Sequence, residues 1–229
     1  MSASTSWSRD HPGDAPGRDD EVEVLAGTVR LAGHLTVPHH ALGLVVFAHG
    51  SGSSRHSPRN RFVAEVLQRD GLATLLLDLL MDDEAGDRAA VFDIELLAGR
   101  LAQAAAWVHR EPGCRTLPIG LFGASTGAAA ALRVAAEPDV EVAAVVSRGG
   151  RPDLAGPWLA GVRAPTLLVV GGRDVDVLEL NEAAATRLRC VHDLAVVPGA
   201  THLFEEPGTL AQAARLARDW FLAHLASQE

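Results

Sequence analysis

Three residues in a fixed chain order carry the chemistry of this sequence. Ser125 lies in Gly123-Ala124-Ser125-Thr126-Gly127, Asp174 in Gly172-Arg173-Asp174-Val175-Asp176, and His202 in Ala200-Thr201-His202-Leu203-Phe204. A serine hydroxyl is a weak nucleophile at neutral pH. It becomes useful when an imidazole takes its proton and a carboxylate fixes the tautomer of that imidazole. The Gly-x-Ser-x-Gly segment follows the apolar run LPIGLF and precedes the small-residue run AAAALRVAA, so the serine falls on a sharp turn between a strand and a helix. Small flanking residues are needed there because side chains at the two glycines would collide with the adjoining elements. Asp174 and His202 each follow an apolar run, TLLVVG and DLAVVPG, and so project beyond strand ends. Asp176 is the competing acid. It lies nearer the expected helix start, where carboxylates serve as caps or face solvent.

A tetrahedral intermediate also needs donors for its oxyanion. His49-Gly50-Ser51-Gly52-Ser53-Ser54 follows the run LVVFA and is small enough for its amides to approach a ligand. Thr126, the residue after the nucleophile, supplies one N–H, and Ser51, with Gly52 as the next choice, supplies the other; each donor contributes about 3 kcal/mol in the transition state. His49 reads as a residue that holds this turn. Possible substrate contacts are His56, in the basic stretch SSRHSPRNR, and Arg148 or Arg151, which follow the run VAAVV and suit bidentate binding of a carboxylate. Pairing of the arginines with acids such as Asp153 is the competing explanation. The other histidines (His11, His34, His39, His40, His109, His192 and His224) fall in the tail, the early hairpin or near element ends, where solvated or capping roles suffice.

The elements that must position these groups alternate along the chain. Loose apolar alternation over residues 21–37 predicts a leading antiparallel hairpin. Short, nearly continuous apolar runs at 44–48, 73–78, 117–122, 142–146, 166–170 and 194–197 predict strands covered on both faces. Helical stretches are expected at 59–69, 89–109, 126–136, 177–188 and 209–225. This is an α/β pattern, a mostly parallel, doubly wound sheet with helices on both faces, whose ligands bind beyond the carboxyl ends of the strands. The 19 residues between Val146 and Thr166 leave no room for a large helical cap domain.

Composition narrows the partners. The chain of 229 residues carries a formal charge of −9, which disfavours binding to a phosphate backbone and so excludes nucleic acid as an expected partner. Cys114 and Cys190 form no metal-ligand or disulfide pattern. No apolar stretch reaches the roughly 18 to 20 residues that span a bilayer. A cytoplasmic protein with no membrane partner is the resulting expectation. Residues 1–20, polar and rich in Ser, Gly, Pro and Asp, read as a disordered tail, and residues 21–229 as one domain.

With Ser125, Asp174, His202 and the HGSGSS loop in place, the chain resembles the α/β-hydrolases, and among them the small, mostly lidless dienelactone-hydrolase-like group, over roughly residues 22 to 226. The resemblance implies a serine hydrolase that cleaves a carboxylic ester or related acyl bond of a small molecule through an acyl-enzyme, with no metal and no organic cofactor. Dienelactone hydrolases proper use cysteine where this chain has Ser125, a departure that bears on lactone specificity. An open site suits small or flexible acyl groups better than long lipids. Thioesterases, amidases and acyltransferases share the same triad. A non-catalytic binding module on this fold is the alternative of a different class.

Overall fold

A computed structural model of the chain describes residues 17–226. Eight strands form one sheet in the order β1-β2-β4-β3-β5-β6-β7-β8. β1 (Arg18–Ala26), β2 (Val29–Val37) and β4 (Leu72–Leu77) pair antiparallel in that sequence. β3 (Gly43–Ala48), β5 (Ile119–Ala124), β6 (Ala144–Arg148), β7 (Thr166–Gly171) and β8 (His192–Val197) continue the sheet from β4 in parallel. The carboxyl ends of the parallel strands therefore share one edge, and every group singled out above as catalytic is placed on a loop leaving it.

The two-sided burial expected of the central strands is visible in β3. Leu44, Val46 and Ala48 face a core built with α3 (Ile94–Val108) and α4 (Thr126–Ala135), whereas Val45 and Phe47 face one built with α1 (Pro58–Arg69) and α6 (Thr209–Leu225). Period-two alternation within an unbroken apolar run thus feeds two separate cores, as a sheet covered on both faces requires. β8 departs from this expectation. It is the edge strand, mostly exposed or half-buried, and reaches full burial only at Val197.

Local signals set the remaining boundaries. Ser57 caps α1, accepting from the Asn60 N–H at 3.4 Å, and Pro58 opens the helix where a missing N–H costs nothing. The single helix expected over 89–109 is two. Asp93 leaves helical geometry (φ −77°, ψ 88°) to cap α3 by accepting from Leu96 N, which ends α2 (Arg88–Phe92) one residue earlier. A capping carboxylate competes with helix continuation, and here the cap wins. β1 begins at Arg18, inside the stretch read as tail, where Arg18 bonds Glu111 at 3.0 Å; the rest of that tail, residues 1–16, lies outside the described residues. Between β6 and β7 the chain forms only a short 3-10 segment (Pro152–Gly161), and α5 (Val175–Ala185) connects β7 to β8. No helix among the described residues is long and apolar enough to cross a membrane.

Candidate active site

β5 delivers Ser125 to the strand-to-helix turn with φ 51° and ψ −120°, a left-handed backbone that costs a side-chain-bearing residue about 1–3 kcal/mol. The neighbours compel this turn. A Cβ at Gly123 would lie 2.4 Å from Ala128 Cα, and one at Gly127 would lie 2.2 Å from the Ala48 carbonyl oxygen. Both glycines are thus required by backbone contact on either side of the serine. Strain held by such packing is characteristic of functional turns.

The loop after β3 is seated on this turn. A Cβ at Gly50 would come within 2.8 Å of Ser125 Cβ. Gly50 O accepts from Ser53 N at 3.3 Å and Gly52 has φ 66°, so Ser51 and Gly52 occupy the centre of a tight turn. Thr126 begins α4, and its N–H has no acceptor within its own helix. His49 takes the holding role expected of it: Leu79 N donates to its Nε2 at 3.2 Å, so Nδ1 carries the proton and donates to Gly50 O at 3.0 Å.

His202 Nδ1 lies 2.7 Å from Asp174 Oδ2. That bond places the proton on Nδ1 and leaves the Nε2 lone pair free, the tautomer a general base needs. The Asp174 side chain is 14% exposed and that of His202 41%. Two backbone bonds bring their loops together: Gly172 N donates to Val197 O and Arg173 N to Ala200 O, both at 2.9 Å. Glu206 accepts from Thr201 N at 3.0 Å, and this backbone donor pulls its carboxyl below the ordinary range. Asp176, the competing acid, is exposed in the first turn of α5. Among the described residues Ser125 Oγ makes no hydrogen bond to His202, although both line one cavity. Catalytic bonds often tighten only when substrate is bound.

Two cavities flank the Gly50–Ser53 turn. The larger, about 500 Å³, is lined by Leu80, Ala85, Val91 and Leu97 together with the turn itself, Thr126, His56 and Arg59. His56 accepts from Arg61 at 3.0 Å there. The wall that carries Leu80 and Ala85 is fastened by Arg100, which donates to Leu79 O at 2.8 Å and forms a two-pronged pair with Glu84. This pair holds the Glu84 carboxyl at about 2.

The smaller cavity, about 230 Å³, brings Ser125 and His202 together with Arg59, Asn60 and Arg148. The β5–β6 register sets Ala124 beside Arg148, which explains how the arginine reaches the nucleophile. Arg148 is 9% exposed, and its Nε and Nη1 have no acceptor among the described residues. Burial, with the charge of Arg59 added, lowers it to about 10, so it remains a cation at neutral pH. Arg151 does not join it. Its guanidinium donates to Asp153 through two bonds of 2.8 and 2.7 Å, the pairing with a nearby acid that competes with a substrate role for it. Arg59 and Asn60 were not singled out from sequence, and the only signal for them was the basic composition of SSRHSPRNR.

The fold and this site define an α/β-hydrolase. No family model matches the chain. A dienelactone hydrolase from Anabaena variabilis ATCC 29413, known from its crystal structure, is 53% identical, with 91% of this chain and 98% of that one covered and a TM-score of 0.88. The chain belongs to the dienelactone-hydrolase family of α/β-hydrolases. Est1E from Butyrivibrio proteoclasticus, 15% identical over 90% of this chain and 99% of that one with a TM-score of 0.76, shares the fold. Two Mycobacterium tuberculosis proteins, from strains CDC 1551 / Oshkosh and ATCC 25618 / H37Rv, are provisionally named phosphoribosyl transferases. Each is 63% identical over 216 residues, which is 94% of this chain and 49% of the relative. The chain therefore spans about half the length of these curated relatives.

Proposed function

We propose that this chain is a cytoplasmic serine hydrolase that cleaves an ester or related acyl bond of a small substrate. Ser125 attacks the carbonyl, His202 removes the hydroxyl proton and returns it to the leaving group, and water releases the acyl group by the same route. Asp174 orients His202 and stabilises its protonated form. The N–H groups of Thr126 and of Ser51 or Gly52 receive the oxyanion. The observation that carries this reading is the His202–Asp174 bond of 2.7 Å beside a serine held in a strained turn. A non-catalytic module would have no need of a fixed tautomer in the cavity of that serine. Two separate cysteines fit a reducing compartment.

The phosphoribosyl transferase name belongs to proteins of about twice this length, and the serine, imidazole and carboxylate of this chain support acyl chemistry more directly. Hydrolysis of short p-nitrophenyl esters, thioesters and lactones by the wild type and by Ser125→Ala tests the proposal. Turnover of at least one class that falls more than about a thousandfold in the variant is the expected outcome. Equal rates in both proteins would remove Ser125 from the mechanism.

A further inference from the structure

Building on the reading of Ser125 as nucleophile, we propose that the smaller cavity is an anion subsite in which Arg148 and Arg59 hold a phosphate group carried by the acyl substrate. A cation taken out of water normally brings a carboxylate with it. Arg148 has none within 4 Å among the described residues. Its one polar side-chain partner is Asn60 Oδ1, at 3.5 Å from Nη2, and the Phe122 and Phe204 rings at 5.9 Å compensate it only in part. No described residue thus supplies the counter-charge, and the cavity that Arg148 lines is where a ligand can supply it.

The cavity contributes more than one charge. The twelve-residue α1 starts at its rim, with Ser57, Arg59 and Asn60 among the lining residues, so the positive end of that helix is turned to the same space. Among the described residues Arg59 pairs only with Glu205, at 3.5 Å, in an exposed pair that a ligand displaces at little cost. Two guanidinium groups match a doubly charged group better than a carboxylate. Ser51, Ser53 and Ser57 also line the cavity, and their hydroxyls can add donors to a phosphate group. Because Ser125 and His202 line the same cavity, the anion lies next to the bond under attack, and the larger cavity, which shares the Gly50–Ser53 turn, receives the other arm of the substrate.

The test is the thermal unfolding midpoint of the full chain at pH 7.5, titrated with inorganic phosphate, sodium acetate or sodium chloride at matched ionic strength. Wild type, Arg148→Met, Arg59→Gln and Ser125→Ala are compared. A saturable upward shift with phosphate in the wild type and in Ser125→Ala is expected. Phosphate affinity should fall at least tenfold in Arg59→Gln and the response should vanish in Arg148→Met. If Arg148→Met does not fold, Arg59→Gln alone carries the test. Protection by acetate equal to that by phosphate, no phosphate response, or a response unchanged in the arginine variants would each overturn the proposal. Fluorophosphonate labelling of the same samples separates the two readings. A phosphate response with no labelling of Ser125 removes the anion's assignment to a substrate, whereas labelling without a phosphate response removes the anion subsite and leaves the hydrolase.

Discussion

Arg148→Met should make the ligand-free protein more stable. Arg148 is 9% exposed, and burial, chiefly, lowers its guanidinium to about 10. At 1.36 kcal/mol per unit this drop corresponds to a penalty of about 3 kcal/mol on the charged form in the folded state. The sign follows from the two protonation states. Below about 10 the group is charged in both folded and unfolded chains and the whole penalty is present; above about 10 the folded chain sheds the proton before the unfolded chain does and the penalty is progressively relieved. Methionine fills much of the same volume without charge, at the loss of ring contacts to Phe122 and Phe204 of about 0.5–1 kcal/mol each. The net gain is about 1–2 kcal/mol at pH 7.5, read as an increased urea midpoint with an unchanged m-value in phosphate-free chloride buffer. The gain should shrink when the measurement is repeated above pH 10. A variant less stable than wild type by 1 kcal/mol or more would refute the reasoning, because Arg148 would then be satisfied within the fold.

Other perturbations address the remaining parts of the site. Asp174→Asn should lower kcat by about 10³–10⁴ with KM changed only a few-fold, whereas Asp176→Asn should stay within twofold of wild type; steady-state kinetics on the ester identified by screening distinguishes them. Gly127→Ala places a Cβ 2.2 Å from the Ala48 carbonyl oxygen and should cost about 2 kcal/mol or more, seen as a lower urea midpoint with loss of Ser125 labelling. Glu84, held at about 2 by Arg100, contributes stability that is complete above 4.5 and is lost as pH falls toward 2. Glu84→Gln should therefore flatten that part of the acid-unfolding curve, by about 1 kcal/mol after solvent screening, and an unchanged curve would contradict the role given to the pair.

The positions proposed for the triad stand out in sequence because each follows a recognisable strand, and the structure brings His202 within 2.7 Å of Asp174 and into one cavity with Ser125. Strand-to-helix context also pointed to the glycines that flank Ser125, whose contacts with Ala128 and Ala48 supply the reason for them. What stayed hidden depends on neighbours distant in sequence. Arg148 on β6 and Arg59 on α1 come to line one cavity only through the tertiary fold, and no local pattern marks Arg59 as different from the other arginines of SSRHSPRNR. Arg151 is the converse case, since its partner Asp153 was adjacent and already visible. The split of α2 from α3 turned on Asp93 acting as a cap inside an otherwise continuous helical pattern. The exposure of β8 turned on its place at the sheet edge, which hydropathy does not encode.

The most direct test of the central claim is reaction of the folded chain with a fluorophosphonate probe, followed by peptide mapping, in the wild type and in Ser125→Ala. A single adduct on Ser125 that disappears in the variant, and that forms much more slowly in His202→Ala, is the predicted result. Well-folded wild-type protein that remains unlabelled, or that is labelled elsewhere, would contradict the assignment of Ser125 as an activated nucleophile.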